Sequence, residues 1–157
     1  MKTLVLYYSY EGTTATIAKA IAEQLGADCE RLSVVNEPKK NGLGKFVWGG
    51  SQVLMKRLPR IEPLKYKPES YDLLVIGTPV WAGSYVPAIR TLFHTFRFSG
   101  KKTAFFYTDL GGPGHIAEHM EKALSKGTVI GSLHLAKASQ NIDKAVAAAK
   151  SWSSTLK

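Results

Sequence analysis

Residues 3–26 read TLVLYYSYEGTTATIAKAIAEQLG, and this stretch decides the fold class. Residues 3–8 are apolar or β-branched without polar alternation, which is typical of a strand buried on both faces of a sheet. Residues 13–25 place isoleucine or leucine at every fourth position from 17 onward, the spacing of one helix face. Gly26 follows where a left-handed glycine usually ends a helix. The stretch therefore predicts a buried strand that leads directly into a helix.

The same alternation continues along the chain. Short apolar runs predict further strands at residues 29–35, 73–77, 102–108 and 129–135. Amphipathic runs predict further helices at residues 87–96, 116–124 and 142–152. Strand–helix alternation at this spacing forms βαβ units with right-handed crossovers and a parallel sheet. We therefore predict an α/β fold, a doubly wound three-layer sandwich with a five-stranded parallel sheet, as a single domain over residues 1–157.

Composition and charge narrow the class of protein. The 157 residues include 45% AVILMFWYC residues, and 21 Lys+Arg against 12 Asp+Glu give a formal net charge of +9. This hydrophobic content excludes an intrinsically disordered chain. The single cysteine, Cys29, allows neither an internal disulfide nor a cysteine metal cluster, and it favours a reducing, cytoplasmic location. No apolar run approaches the roughly 20 residues of a membrane span, and no secretory signal is predicted.

Residues 37–67 form an unusually long connection between the second and third predicted strands. Apolar residues around Gly49 and Gly50 indicate one or two helical turns within it. A connection of this length is usually functional, and the alternative is a helix with a solvated basic face. The connection contains eight basic and two acidic residues, so it contributes +6 of the net charge. The basic residues are Lys39, Lys40, Lys45, Lys56, Arg57, Arg60, Lys65 and Lys67.

The loop after the first strand has the composition of a phosphate site. In an open doubly wound sheet, ligands bind beyond the carboxyl ends of the strands, near the point where strand order reverses. The loop SYEGTT at residues 9–14 combines hydroxyl groups with Gly12 and opens directly into a helix. Backbone N–H groups and the helix dipole favour an anion at such a position. The alternative is that Ser9 or Thr13 merely caps the helix.

Two further loops leave the third and fourth strands toward the same edge of the sheet. GTPVWAGSY at residues 77–85 contains Trp81, a candidate platform for a planar ring. The alternative is a tryptophan packed on the neighbouring helix. TDLGGPGH at residues 108–115 exposes backbone N–H and C=O groups through its glycines, unless it is an ordinary glycine-rich turn before a helix.

Two motif matches in residues 112–119 are weak. GPGHIA has the spacing of a dinucleotide fingerprint, but it follows the fourth strand instead of the first, and no acidic residue lies about 20 positions further on. HIAEH has the spacing of a zinc-peptidase helix, but the sequence offers no evident third ligand. We therefore predict no metal site. Neither a Walker A motif nor a Gly-x-Ser-x-Gly nucleophile elbow is present.

Taken together, the three loops resemble those of the flavodoxin family, and the resemblance covers nearly the whole chain. It implies the strand order 2-1-3-4-5 and a non-covalently bound FMN. In that family the first loop holds the FMN phosphate and the other two enclose the isoalloxazine ring, on which Trp81 would stack. The resemblance implies no catalytic side chain, with His115 the only candidate acid or base. The cofactor-binding residues carried over are Ser9, Tyr10, Glu11, Gly12, Thr13, Thr14, Thr78, Pro79, Val80, Trp81, Ala82, Gly83, Thr108, Asp109, Leu110, Gly111, Gly112 and His115.

Two features depart from the family pattern. Glu11 stands where the family usually has a hydroxyl residue, and a carboxylate repels phosphate, so we expect the Glu11 side chain to point outward. Carrier flavodoxins are typically acidic, whereas a charge of +9 attracts acidic partners such as ferredoxin-like carriers. The charge also permits non-specific binding of nucleic acid, but no nucleic-acid motif is present.

The resemblance implies an FMN-binding electron-transfer protein that serves an acidic redox partner protein or a small-molecule acceptor. The alternative is an oxidoreductase, an NAD(P)H-dependent quinone or flavin reductase. Its substrate would enter beneath residues 37–67, with Phe46, Trp48 and Met55 as a roof and basic side chains for a nucleotide phosphate. A third hypothesis, a structural or sensor module that has lost the flavin, rests on Glu11 alone.

Overall fold

The computed structural model describes residues 1–37 and 43–156, and of residues 43 and 45–49 it describes the backbone alone. Within these residues six strands form one sheet: β1 (Thr3–Tyr7), β2 (Asp28–Arg31), β3 (Leu73–Trp81), β4 (Ser84–Tyr85), β5 (Lys102–Asp109) and β6 (Thr128–Ala136).

The strand order confirms the predicted topology. The sheet runs β2-β1-β3-β5-β6 with parallel neighbours, and β4 pairs antiparallel with β3. Because β4 is the strand that the sequence analysis did not predict, this path is the expected order 2-1-3-4-5. Strand order reverses between β1 and β3, so the carboxyl ends of these two strands mark the position where ligands bind in such sheets.

Helices cover both faces of the sheet, as predicted. They are α1 (Thr13–Leu25), α2 (Leu43–Leu54), α3 (Pro87–Thr95), α4 (Ile116–Ala123) and α5 (Ile142–Ser153). On one face α1 and α5 pack together against Val5 and Tyr7. On the other face Leu4, Leu6 and Tyr8 pack with residues of α3 and α4. Successive side chains of a strand point to opposite faces, which is why β1 lacks polar alternation. No helix in the described ranges has the length and apolar character to cross a bilayer.

The second strand is shorter than predicted. Residues 29–35 are predicted to form a strand along their full length, but β2 ends at Arg31. Beyond it the chain leaves the sheet, and Val34 pairs antiparallel with Ile61 instead. The end of the run is apolar because it packs against the segment that follows α2, a contact that no local pattern indicates.

The third strand is longer than predicted, and part of the second predicted loop is a hairpin. The expected strand covered residues 73–77, whereas β3 continues to Trp81 and its last two residues pair with β4. The turn residues Ala82 (φ 47°) and Gly83 (φ 72°) are both left-handed, as in the tight two-residue turns that match strand twist. Alanine is unusual at such a position, so residues 82 and 83 lack the usual signal of a hairpin turn.

The long connection at residues 37–67 contains a longer helix than expected. We predicted one or two turns, and α2 has 12 residues. Lys39 and Lys40 lie outside the described residues, as do the side chains of Lys45, Phe46 and Trp48. The other five basic residues of the cluster are exposed: Lys56, Arg57, Arg60, Lys65 and Lys67.

Candidate functional site

A cavity of about 370 Å³ opens beyond the carboxyl ends of β1, β3 and β5. Small-molecule sites usually have volumes of about 300–1,000 Å³. The cavity therefore lies at the position, and has the size, that the topology predicts for a ligand site. Most of the predicted site residues line it: Ser9, Tyr10, Glu11, Thr13, Thr14, Pro79, Val80, Trp81, Ala82, Gly83, Thr108, Asp109, Leu110, Gly111 and Gly112.

Three predicted residues occupy other positions. Gly12 is the residue before the first turn of α1, with a φ of 106°. Thr78 is fully buried, and its hydroxyl donates to the Pro79 carbonyl at 2.8 Å. The side chain of His115 is 80% exposed, so the imidazole is a surface group. The cavity is also lined by residues from α2 and from the turn after β6 that no sequence pattern indicated, namely Gly50, Ala138 and Ser139.

The first loop leaves the start of α1 open toward the cavity. Ser9 is buried, and its Oγ accepts the Gly12 N–H at 3.1 Å, which holds the turn in shape. No side chain in the described residues caps the helix, so the hypothesis that Ser9 or Thr13 serves only as a cap is wrong. Thr13 and Thr14 begin α1 and line the cavity. The positive end of the helix dipole and its unpaired N–H groups therefore border the cavity.

Thr14 joins the first loop to the third. It is 2% exposed, and its Oγ1 lies 3.0 Å from Oγ1 of Thr108, which is also buried. A hydrogen bond between two hydroxyls leaves one of the two protons available to a further acceptor. The pair therefore fixes the distance between two walls of the cavity and can still donate into it.

Arg31, which the sequence analysis missed, supports the first loop from the neighbouring strand. Its Nε and Nη2 donate to the Ser9 carbonyl at 3.2 and 2.8 Å. Its Nη2 also lies 3.7 Å from Glu37 Oε2, and the guanidinium lies 5.7 Å from the centre of the Tyr8 ring. The Tyr8 hydroxyl donates to Glu37 in turn. The three predicted loops contain no Lys or Arg, and the Arg31 guanidinium supports the first loop from β2.

This network predicts a loss of stability at alkaline pH. Burial and the hydrogen bond to Glu37 raise the pKa of Tyr8 well above its ordinary value of 10. Above pH 10 the unfolded chain releases this proton while the folded chain keeps it, so the Tyr8 contribution is complete below pH 10. Above pH 10 it falls by about 1.4 kcal/mol per pH unit. We expect Tyr8→Phe to make the fall less steep, measured by urea unfolding at several pH values between 8 and 11. The same pH dependence in both proteins would contradict this expectation.

The second loop presents Trp81 to the cavity. The indole packs edge-on against the rings of Tyr8 and Tyr10, with centroids 5.6 and 6.1 Å apart and interplanar angles of 84° and 75°. Trp81 is partly exposed and lines the cavity. Trp81 also packs against the core cluster that contains Ala88 and Ile89 of α3, so the indole both contacts the neighbouring helix and borders the cavity. Two tyrosine rings hold the indole at the wall of the cavity.

The hairpin turn is fixed to the start of α4 by close backbone contact. The backbones of Gly83 and Gly114 meet so closely that a Cβ built on Gly114 would lie 2.3 Å from Gly83 Cα. The His115 N–H donates to the Gly83 carbonyl at 2.9 Å. One residue further on, Ser84 Oγ lies 2.8 Å from Nδ1 of His119. The second and third loops are therefore held against each other at one end of the cavity.

The zinc-like spacing at residues 115–119 has a structural explanation. His119 hydrogen-bonds Ser84, while His115 and Glu118 are exposed with 3.8 Å between Nδ1 and Oε2. Among the described residues no group of His, Cys, Asp and Glu side chains has a geometry that suits a metal ion.

The third loop is shaped by Asp109, which is buried. Its Oδ1 accepts the Gly112 N–H at 2.9 Å, its Oδ2 pairs with Nε2 of His134, and its carbonyl accepts the Lys137 N–H at 2.8 Å. His134 in turn stacks on Tyr107, with centroids 4.9 Å apart. These contacts hold the loop open around the cavity. The position of His134 on β6 could not be inferred from the third loop itself.

Comparison with known proteins identifies the family. The family model described as Flavodoxin matches residues 2–148. The chain belongs to the flavodoxin family. Among solved structures, this flavodoxin is similar to the flavoprotein in complex with FMN from Lactobacillus acidophilus NCFM, with 26% identity and a TM-score of 0.74 over 91% of this chain and 97% of that one.

Two other solved structures share the fold. A protein from Bacteroides uniformis ATCC 8492 has 23% identity and a TM-score of 0.80, over 96% of each chain. The two-electron-reduced flavodoxin of Megasphaera elsdenii has 16% identity and a TM-score of 0.56, over 95% of this chain and 98% of that one. No curated protein matches the sequence.

Proposed function

We propose that this flavodoxin binds FMN non-covalently in the cavity and transfers electrons between redox partners. The observation that carries the proposal is the arrangement of two different surfaces around one cavity. The open start of α1 borders it on one side, and Trp81 with the glycine-rich third loop borders it on another. The Lactobacillus flavoprotein, which matches over nearly the full chain, is in complex with FMN.

The residues present fit the two parts of FMN. The N–H groups of the first turn of α1, with the hydroxyls of Ser9 and Thr13, would hold the phosphate. Pro79 to Gly83 would contact one side of the ring and Thr108 to Gly112 the other, with Trp81 in ring contact. Glu11 is exposed and lines the cavity. FMN supplies reversible uptake of one or two electrons, and the chain supplies orientation and exclusion of water.

The positions of two ionisable residues, Asp109 and His115, support a carrier function. The Asp109 carboxylate is 4% exposed and already holds the Gly112 N–H and His134, so it shapes the loop instead of transferring protons. His115 does not line the cavity, although the resemblance placed it among the cofactor residues. Electron exchange requires no acid or base from the protein, whereas many flavin enzymes use one. The proposed compartment is the reducing cytoplasm, supported by the free thiol of Cys29.

The second candidate function is an NAD(P)H-dependent reductase, and one observation favours it. Gly50 of α2 lines the cavity, so the helix within the long connection does border the site. Among the described residues, and apart from its own helix backbone, no atom lies within 4 Å of a Cβ built on Gly50, which leaves space beside it. A flat substrate could occupy this space.

Stopped-flow reduction of the FMN-loaded protein separates the two functions. A carrier should be reduced within seconds by a reduced ferredoxin and remain oxidised for minutes in excess NADPH or NADH. Rapid loss of flavin absorbance in NADPH, followed by turnover with a quinone, would instead establish the reductase. A preparation that takes up no FMN would contradict both.

A further inference from the structure

We propose that the end of α2 and the turn after it form the docking surface for an acidic electron-transfer protein. We call this surface the α2 patch, and it consists of Leu54, Met55, Lys56, Arg57, Leu58 and Arg60. The proposal rests on the proposed electron-transfer function and adds the partner's chemistry and its site of contact.

The α2 patch has an apolar centre that is exposed in the described part of the structure. Leu54, Met55 and Leu58 are 78%, 60% and 52% exposed, whereas Val53 of the same helix is 6% exposed and faces the protein. Single exposed apolar residues are common on protein surfaces, but adjacent ones with such exposure mark interaction sites. Methionine and arginine are also among the residues enriched at protein interfaces.

The charge around this apolar centre is positive. Lys56, Arg57 and Arg60 are all exposed, and Glu62 is the sole acid between residues 50 and 62. A partner with an acidic surface is therefore attracted both by the patch and by the net charge of +9. Partners with a basic surface are repelled by the same charges, which gives the patch its selectivity.

The backbone of the α2 patch is fixed to the body of the protein. Thr91 Oγ1 of α3 donates to the Pro59 carbonyl at 2.7 Å. The Val35 N–H donates to the Arg60 carbonyl at 2.9 Å, next to the bridge between Val34 and Ile61. A surface held in one conformation loses less entropy when a partner binds, so the patch is suited to docking.

The α2 patch lies beside the proposed flavin cavity. Gly50 lines the cavity, and Leu54 follows four residues later on the same helix, a rise of roughly 6 Å. Leu110 of the third loop is 49% exposed and also lines the cavity. A protein docked on the patch would therefore bring its redox centre close to the cavity opening.

Lys56 allows charge and backbone strain to be tested separately. Its φ of 49° is left-handed two residues after the end of α2, a conformation that favours glycine because other residues are strained there. Lysine thus occupies a position where glycine would relieve strain. The substitution Lys56→Gly therefore removes one charge while improving the backbone, so that docking and stability should change in opposite directions.

The test measures electron transfer from a reduced, strongly acidic [2Fe–2S] ferredoxin to the FMN-loaded protein. One electron leaves the reduced cluster, which becomes oxidised, and is accepted by the flavin. The patch variant is Lys56→Gln/Arg57→Gln/Arg60→Gln. The matched control is Lys67→Gln/Lys122→Gln/Lys126→Gln, which removes the same charge at exposed positions that lead into β3 or β6 at the opposite edge of the sheet. Lys56→Gly tests the effect of removing one charge while relieving backbone strain. Leu54→Ser/Leu58→Ser tests the contribution of the apolar centre.

At about 20 mM ionic strength we expect the second-order rate constant of the patch variant to fall about tenfold and that of the control less than about threefold. The difference should shrink at about 0.5 M, where exposed charges are screened. Lys56→Gly should slow the reaction without lowering the melting temperature, and the apolar variant should slow it at both salt concentrations. Equal rates for the patch variant and the control would overturn the proposal.

Two further measurements separate this proposal from the proposed function. FMN content and the rate of reduction by dithionite should be the same in all variants. If both are normal and the patch substitutions leave the rate of flavin reduction by ferredoxin unchanged, the docking surface is wrong and the proposed flavin function stands. If wild type holds no FMN, both proposals are contradicted. A third outcome is that wild type binds vesicles containing phosphatidylserine and the patch variant does not, while the rate of reduction by ferredoxin is the same in both. This outcome would identify the patch as a membrane-binding surface and overturn the proposal of a protein partner.

Discussion

Replacing Gly114 by alanine should weaken FMN binding about 30-fold and lower the free energy of unfolding by about 2–5 kcal/mol. The residue contributes no side chain to the cavity. Its effect comes from the close approach between the hairpin turn of the second loop and the start of α4.

Two costs combine at this position. The Gly114 φ of 56° is left-handed, which costs an alanine about 1 kcal/mol or more. An added Cβ would also lie 2.3 Å from Gly83 Cα and 2.9 Å from the Gly83 carbonyl oxygen. Both atoms are backbone, so the turn itself must move. Ala82 and Gly83 line the cavity, and their displacement would open the wall that faces the flavin ring.

Gly100→Ala is the matched control for this prediction. Gly100 has a φ of 73°, but a Cβ there meets no atom within 4 Å, and the residue precedes β5 at the edge of the sheet opposite the cavity. It should lose about 1–2 kcal/mol of stability and keep normal FMN affinity. Urea unfolding and FMN titration of both variants provide the measurement. Equal effects of the two substitutions on FMN affinity would show that the close contact has no role in the site.

Removing the indole of Trp81 should weaken FMN binding about 10- to 100-fold, since stacking between a base-like ring and an aromatic side chain contributes about 1–3 kcal/mol. Trp81→Phe should retain part of this affinity, because the ring contact persists with a smaller area. The indole also packs on Tyr8 and Tyr10, so we expect Trp81→Ala to lower stability by about 1–3 kcal/mol.

Trp152→Phe serves as the control for Trp81. Trp152 lies on α5 and packs on the opposite face of the sheet, away from the cavity. FMN should still quench tryptophan emission strongly in Trp152→Phe, and markedly less in Trp81→Phe. If quenching and affinity were unchanged in Trp81→Ala, the indole would not contact the flavin.

Much of the fold could be predicted because local sequence and global topology agree. Residues 13–25 have helical spacing and end at Gly26, whose φ of 61° confirms the predicted left-handed end. The burial of β1 on both faces follows from helices packed on each side of the sheet. Once the alternation of strands and helices was established, the location of the cavity followed from the position where strand order reverses.

The features that could not be predicted arise from contacts distant in sequence. Arg31 reaches the Ser9 carbonyl because β2 lies beside β1, and His134 reaches Asp109 because β6 lies beside β5. The hairpin after β3 was missed because its turn begins with Ala82 in a conformation that alanine seldom adopts. Similarly, the end of the 29–35 run pairs with Ile61, which lies beyond α2.

Titration of the apoprotein with FMN and with riboflavin tests the central claim most directly. If the start of α1 holds the phosphate and the loops hold the ring, one FMN should bind per chain. Riboflavin, which lacks the phosphate, should bind at least about 100-fold more weakly, since a charge-assisted hydrogen bond contributes about 1.5–3 kcal/mol. Equal affinities for the two flavins, or no binding of FMN, would contradict the account.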